Sequence, residues 1–219
     1  MDWALIIIVQ VLFQPSLSVF FTVEAEHSKY TSEYGGNVVM GCKFYPKPSH
    51  PQNDLKVTWH WTAASPYQEV IRIDKAVEHS TSQKYQSRVK LLTDELKDGW
   101  AKIQLSNLKI SDSGTYQCLV QTAEGTDYKT ITLSVTAPYK FISKHIEKTA
   151  EGDKVLLTCQ SEGYPQSAVE WQDGRLQRHS PNTTTTTTPE HLVKITSQIQ
   201  VSSSEENNYT CSFTNDKNC

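Results

Sequence analysis

Most of the marks of catalysis or nucleic-acid binding are missing from this sequence. There is no excess of positive charge: 21 Lys and Arg stand against 24 Asp and Glu, a net charge of -3. Without a basic footprint, nucleic acid is not an expected partner. None of the cysteines falls in a C-x-x-C pair, and the histidines at 27, 50, 60, 79, 145, 179 and 191 never stand in an H-E-x-x-H arrangement, so a zinc site has little support. There is no G-x-S-x-G elbow, no phosphate loop and no G-x-G-x-x-G. Asp112-Ser-Gly114 matches half of an aspartic protease signature, but that chemistry needs two carboxylates sharing a proton, and no second Asp-Ser/Thr-Gly follows. The expectation is a non-enzyme with no cofactor and no small-molecule substrate. Beyond the first residues there is no apolar run approaching the length of a membrane span, and no helical period persists for more than about two turns.

What is present begins with Met1 to Phe13, a short apolar run followed by Ser16-Leu17-Ser18, a small-x-small pattern suited to signal peptidase. Residues 1–18 read as a cleaved secretory signal, although Asp2 stands where a Lys or Arg is usual. The chain is therefore expected to be extracellular, and its five cysteines are free to form disulfides.

After the signal, apolar residues alternate at period two in short runs, the mark of half-buried strands. Val38, Met40 and Cys42 share one face, as do Val57, Trp59 and Trp61, and Ala101, Ile103 and Leu105. Turn clusters separate the runs: Gly35-Gly36, Pro46-Lys-Pro48-Ser-His-Pro51, Asp98-Gly99 and Asp112-Ser-Gly114. The pattern recurs in Val155, Leu157 and Cys159, in Val169 and Trp171, in Val193, Ile195, Ile199 and Val201, and in Tyr209, Cys211 and Phe213. The chain reads as all-β.

Each half carries Cys, then Trp, then Tyr-x-Cys: Cys42, Trp59, Tyr116 and Cys118, then Cys159, Trp171, Tyr209 and Cys211. In an immunoglobulin sandwich a disulfide joins the two sheets, a Trp packs against it, and a Tyr two residues before the second Cys anchors a corner. That logic selects Cys42–Cys118 and Cys159–Cys211 among the three ways of pairing these four cysteines. Seventy-five residues lie between the first pair, room for the extra strands of a variable-type domain, and fifty-one between the second, which suits a constant-type domain. The expected organisation is two tandem immunoglobulin-like β-sandwiches, variable-type over 19–136 and constant-type over 137–219. They meet at Thr136-Ala-Pro138, a short link without glycine that leaves limited freedom. Arg88 opens the Arg-Val-Lys-Leu strand, where variable-type folds commonly pair an Arg with the Asp of the corner, so a pair with Asp112 is expected.

Two glycosylation sequons, Asn182-Thr-Thr184 and Asn208-Tyr-Thr210, lie in the second half. Asn182 is the favoured site, because the Thr183 to Thr188 run reads as a solvated loop, whereas Asn208 beside Tyr209 is expected to be less accessible. After Phe213 few residues remain, so the second domain is expected to stop before its last strand, and Cys219 is left unpaired and able to link two chains.

The segment Tyr116 to Val135 reads as two strands joined by a turn. Tyr116 and Cys118 point inward, so Gln117, Leu119 and Gln121 point outward; the inward Ile131, Leu133 and Val135 put Tyr128 and Thr130 outward as well. The same alternation turns Thr58 and His60 away from the core. Together they form a surface with one aliphatic and one aromatic side chain and few charges, the composition of an interface centre.

These motifs carry a family resemblance. Phe21-Thr-Val23, Glu33-Tyr-Gly-x-Asn37, Cys42-Lys-Phe44, Arg88-x-x-Leu-Leu-x-Asp-x-Leu96, Asp127-Tyr-Lys-x-Ile-Thr132, Ala137-Pro-Tyr139 and Leu157-Thr-Cys-Gln-x-Glu-Gly-Tyr-Pro165 occur in the order found in the programmed-death ligands. The chain resembles that branch of the butyrophilin-like T-cell co-signalling ligands. The resemblance implies a cell-surface or extracellular ligand that binds an inhibitory immunoglobulin-type receptor on T cells through the front sheet of its variable-type domain and lowers T-cell activation. A co-stimulatory or adhesion ligand of the same architecture is the alternative. Carried onto this sequence, the receptor face comprises Thr58, His60, Gln117, Leu119, Gln121, Asp127, Tyr128 and Thr130.

Overall fold

The computed structural model describes residues 20–45, 51–79, 82–150, 152–204 and 208–214. The expected signal at 1–18, most of the Pro46–Pro51 cluster and Cys219 lie outside the described residues.

Alternation of buried and exposed side chains builds two facing sheets in the first half. One contains β1 (Thr22–Ala25), β3 (Val38–Tyr45), β8 (Trp100–Leu105) and β7 (Val89–Leu91), in the order β1-β3-β8-β7. The other contains β2 (Lys29–Glu33), β10 (Gly125–Thr136), β9 (Gly114–Thr122), β4 (Lys56–Trp61), β5 (Gln68–Asp74) and β6 (Val77–His79), in the order β2-β10-β9-β4-β5-β6. All pairings are antiparallel except β2 with β10, which is parallel. The additional strands expected between Cys42 and Cys118 are thus β5 and β6. Strand β8 shows the physical rule plainly: Ala101, Ile103 and Leu105 are buried, while Trp100, Lys102 and Gln104 are only half-buried.

Between the sheets, Met40, Phe44, Val57, Trp59, Ile103, Leu105, Val120 and Ile131 close around the Cys42–Cys118 disulfide. Trp59 lies opposite Cys118 on the neighbouring strand and is fully buried. At the base, the Tyr116 hydroxyl donates to the Asp112 carbonyl at 2.7 Å, the tyrosine corner the sequence pattern anticipates. Arg88 makes the expected pair with Asp112 through two parallel bonds, Nη1 to Oδ2 at 2.8 Å and Nη2 to Oδ1 at 3.1 Å. Gly114, with φ +143°, is required here, since a Cβ would lie 2.6 Å from Trp61 Nε1.

The second half repeats the plan with fewer strands. One sheet runs β11 (Ser143–Lys148), β12 (Lys154–Gly163), β16 (Val193–Ser202) and β15 (Asn182–Thr187) in the order β11-β12-β16-β15; the other runs β14 (Arg178–His179), β13 (Ala168–Asp173) and β17 (Tyr209–Thr214) in the order β14-β13-β17. Cys159–Cys211 bridges them, and Trp171 packs on the bridge while its Nε1 donates to Ser197 Oγ at 3.0 Å. Both disulfides are the ones the sequence logic selects.

One expectation is overturned. The threonine run is not a loop but the body of β15, paired along its length with β16 from Asn182 opposite Gln198 to Thr187 opposite Val193. β-branched side chains favour the extended backbone, and a strand at a sheet edge whose residues all stay exposed tolerates a wholly polar sequence. Asn208 is exposed, as is Asn182, so the anticipated difference in accessibility between the two sequons is not seen.

The link is docked rather than free. Ala137 and Tyr164 exchange backbone bonds, N to O at 2.8 and 2.6 Å, and the Tyr139 ring stacks on Phe213 at 5.2 Å. Gly163 admits Tyr139, whose ring carbons would stand 2.6 Å from any Cβ there. Lys140 reaches back to Glu33 at 2.7 Å.

Candidate binding face of the six-stranded sheet

Residues directly opposite one another on neighbouring strands project from the same side of a sheet, so the register fixes which side chains share the outer face. One row runs Tyr128, Leu119, Thr58 and Arg72 across β10, β9, β4 and β5. A second runs Thr130, Gln117, His60 and Glu69, and a third Thr126, Gln121, Lys56 and Asp74. Seven of the eight candidate positions therefore lie on one continuous surface.

The composition changes along each row. At the β9–β10 end, Tyr128 is 52% exposed and stands over the half-buried Leu119, with uncharged Gln117, Gln121 and Thr130 around them. At the β5 end, Arg72 Nε lies 3.8 Å from Glu69 Oε1. The face thus has an apolar centre with charges set to one side, the usual distribution of a protein-binding surface.

Three details depart from the reading of the sequence. Thr58 faces outward as alternation requires, yet it is only 4% exposed, because it sits in the middle of the row between Leu119 and Arg72. Asp127 is not on the face with Tyr128: its Oδ2 accepts the Val23 backbone N–H at 2.8 Å and so ties β10 to β1 in the opposite sheet. Alternation along β10 separates the two neighbours, as it must at period two. Glu69 and Arg72, absent from the expected face, join it. A register shift between Trp59 and His60 leaves Val70 as an extra residue in β5, and Val70 and Ile71 are both buried. The consecutive apolar pair Val70-Ile71 within an otherwise alternating strand was the available signal of a bulge.

His60 stands in the second row, between Gln117 and Glu69. Its Nδ1 is buried without a hydrogen-bond partner, and burial pushes the imidazole below its ordinary pKa, with nearby Glu69 opposing that shift. The imidazole is neutral at pH 7, so the Thr130–Gln117–His60 row gains no positive charge from this residue.

The model of the immunoglobulin V-set domain matches residues 25–136, and that of a further immunoglobulin domain matches residues 138–215. The chain belongs to the immunoglobulin V-set family. This V-set protein is 33% identical over 201 residues to programmed cell death 1 ligand 1 of Mus musculus, an alignment that covers 88% of this chain and 66% of the relative. It is 28% identical over 182 residues to the CD276 antigen homolog of Xenopus laevis, covering 80% of this chain and 58% of that one. The chain therefore spans less than two thirds of the length of each. Among solved structures, bovine butyrophilin superposes with a TM-score of 0.71 at 22% identity, over 89% of this chain and 92% of the other, which establishes the shared two-sandwich fold. The similarity to programmed cell death 1 ligand 1 is in keeping with the motifs that run from Phe21 to Pro165.

Proposed function

We propose that this V-set protein is an extracellular ligand that presents the outer face of its six-stranded sheet to an inhibitory immunoglobulin-type receptor on T cells and lowers T-cell activation. The observation that carries the reading is the row Tyr128–Leu119–Thr58, in which an exposed aromatic ring stands beside an aliphatic side chain on a rigid, hydrogen-bonded platform. Tyr128 and Leu119 are the anchors; Gln117, Gln121, Thr130 and His60 surround them. Thr58 flanks Leu119 on the neighbouring strand, and Asp127 holds β10 in position from the other side. Similarity to programmed cell death 1 ligand 1 supports the choice of partner class.

The action is binding without chemistry. An aromatic anchor at the centre of an interface contributes about 2 kcal/mol or more on truncation, a loss of roughly 30-fold in affinity. Tyr128→Ala should therefore weaken binding to a programmed-death-type receptor by at least that factor in surface plasmon resonance, with unfolding unchanged. Undiminished binding by a folded variant would overturn the assignment of the face. The sign of the signal is read separately, by cytokine release from T cells on surfaces coated with the protein. A fall supports the inhibitory role, and a rise assigns a co-stimulatory one.

A further inference from the structure

Strand β15 is unlike the other strands in its chemistry. It lies at the end of the β11-β12-β16-β15 sheet, so among the described residues one of its backbone edges is unpaired. All six of its residues are exposed, and it carries no charge, no proline and no bulge, the devices by which edge strands normally avoid pairing with another chain. Pro181 and Pro189 flank it.

The register sorts its threonines. Thr183 and Thr185 stand opposite Ser197 and Ile195, both fully buried, and Thr183 Oγ1 lies 2.9 Å from Ser197 Oγ, so this set faces the sandwich. Thr188 Oγ1, beyond the strand, accepts the Leu192 backbone N–H. Thr184 and Thr186 stand opposite Thr196 and Lys194 and face away. They share that face with Asn182, the asparagine of the sequon.

We propose that the outward hydroxyls of Thr184 and Thr186 carry O-linked glycans, which cover an otherwise bare strand edge. Threonine runs bounded by proline are the composition that O-glycosylation uses, and the extended backbone of an edge strand offers the hydroxyls without local unfolding. The donor is a nucleotide-activated amino sugar. Threonine Oγ attacks the anomeric carbon, the bond from that carbon to the nucleoside diphosphate breaks, the diphosphate leaves with the electron pair, and the hydroxyl proton passes to solvent. The proposal rests on passage through the secretory pathway, so the test begins with protein recovered from culture medium.

The full chain and its Asn182→Gln variant are expressed in vertebrate cells, collected from the medium, stripped of N-glycans and digested with trypsin. The peptide from His179 to Lys194 is then sequenced by electron-transfer fragmentation. The expected result is at least one N-acetylhexosamine increment localised to Thr184 or Thr186, present in both proteins. Thr186→Val keeps the β-branched shape and the Asn182 sequon, and should remove the increment at that position. An unmodified peptide, or increments confined to the remaining threonines, would overturn the proposal, while failure of the receptor-binding experiment leaves it untouched.

Discussion

Replacing Arg88 by Met should destabilise the first sandwich by more than any surface change could. The Arg88 side chain is 11% exposed and that of Asp112 is 0%, so the two charges meet almost out of water. The guanidinium also donates to the carbonyls of Lys84 at 2.9 Å, Asn107 at 3.0 Å and Ser106 at 3.3 Å, and the Asp112 carboxylate raises the Arg88 pKa, as a hydrogen-bonded partner of opposite charge must. Methionine fills much the same space but leaves Asp112 with the backbone N–H of Lys109, at 2.8 Å, in place of two guanidinium bonds. Removing one member of a buried pair costs about 3 to 5 kcal/mol, because the remaining charge stays desolvated. For a domain of this size that corresponds to a fall of about 10 to 20 °C in Tm. Differential scanning calorimetry of the whole chain should show the first-domain transition moving by that amount while the other stays in place. Adding Asp112→Asn to the Arg88→Met variant should recover part of the loss, since the stranded charge is then gone. A shift below about 4 °C, or one equally shared by the two transitions, would refute the reasoning: the pair would then behave as a solvated surface bridge.

The remaining predictions concern the face and the link. Burial lowers the His60 pKa below the ordinary 6.5, so the unfolded chain binds a proton more readily than the folded one. The resulting stability is fully present above pH 6.5 and is lost as the pH falls through the lowered folded value. Urea midpoints measured at pH 7.5 and 5.5 should therefore differ more in the parent than in His60→Gln; equal differences would remove His60 as the cause. At the link, a Cβ on Gly163 would lie 2.6 Å from the Tyr139 ring and 2.7 Å from the Ala137 carbonyl oxygen. Gly163→Ala should undock Tyr139, and small-angle scattering should record a larger radius of gyration and a broader spread of inter-domain angles. An unchanged scattering profile would mean that the docked link does not set the arrangement of the two sandwiches.

How much of this could be read in advance depended on whether the signal was local. Cys42, Trp59, Tyr116 and Cys118 announced a sandwich because each does its work in one kind of environment, and the repeat in Cys159, Trp171, Tyr209 and Cys211 announced a second. Period two along β9 and β10 was enough to separate Tyr116 and Cys118 from Gln117 and Leu119. Family likeness places Asp127 on the face, against its own position in the alternation, and the structure follows the alternation. Polar throughout, the threonine run reads as a loop when taken alone. Whether a polar β-branched segment forms a strand depends on a neighbour to pair with, and that neighbour, β16, begins at Val193, after the intervening turn.

By itself, then, the sequence determined the strand pattern and the two disulfide-bridged cores, because these follow from alternation and from residue types with few alternative uses; the Arg88–Asp112 pair followed from the variable-type pattern they announce. Only the tertiary structure decided what lies beside what. The bulge in β5 brings Glu69 and Arg72 into the rows of the face, neighbouring strands bury Thr58 although it points outward, and β16 draws the threonines into a sheet edge. Each of these outcomes is set by cross-strand register, a relation between segments far apart in the chain that no window of residues contains.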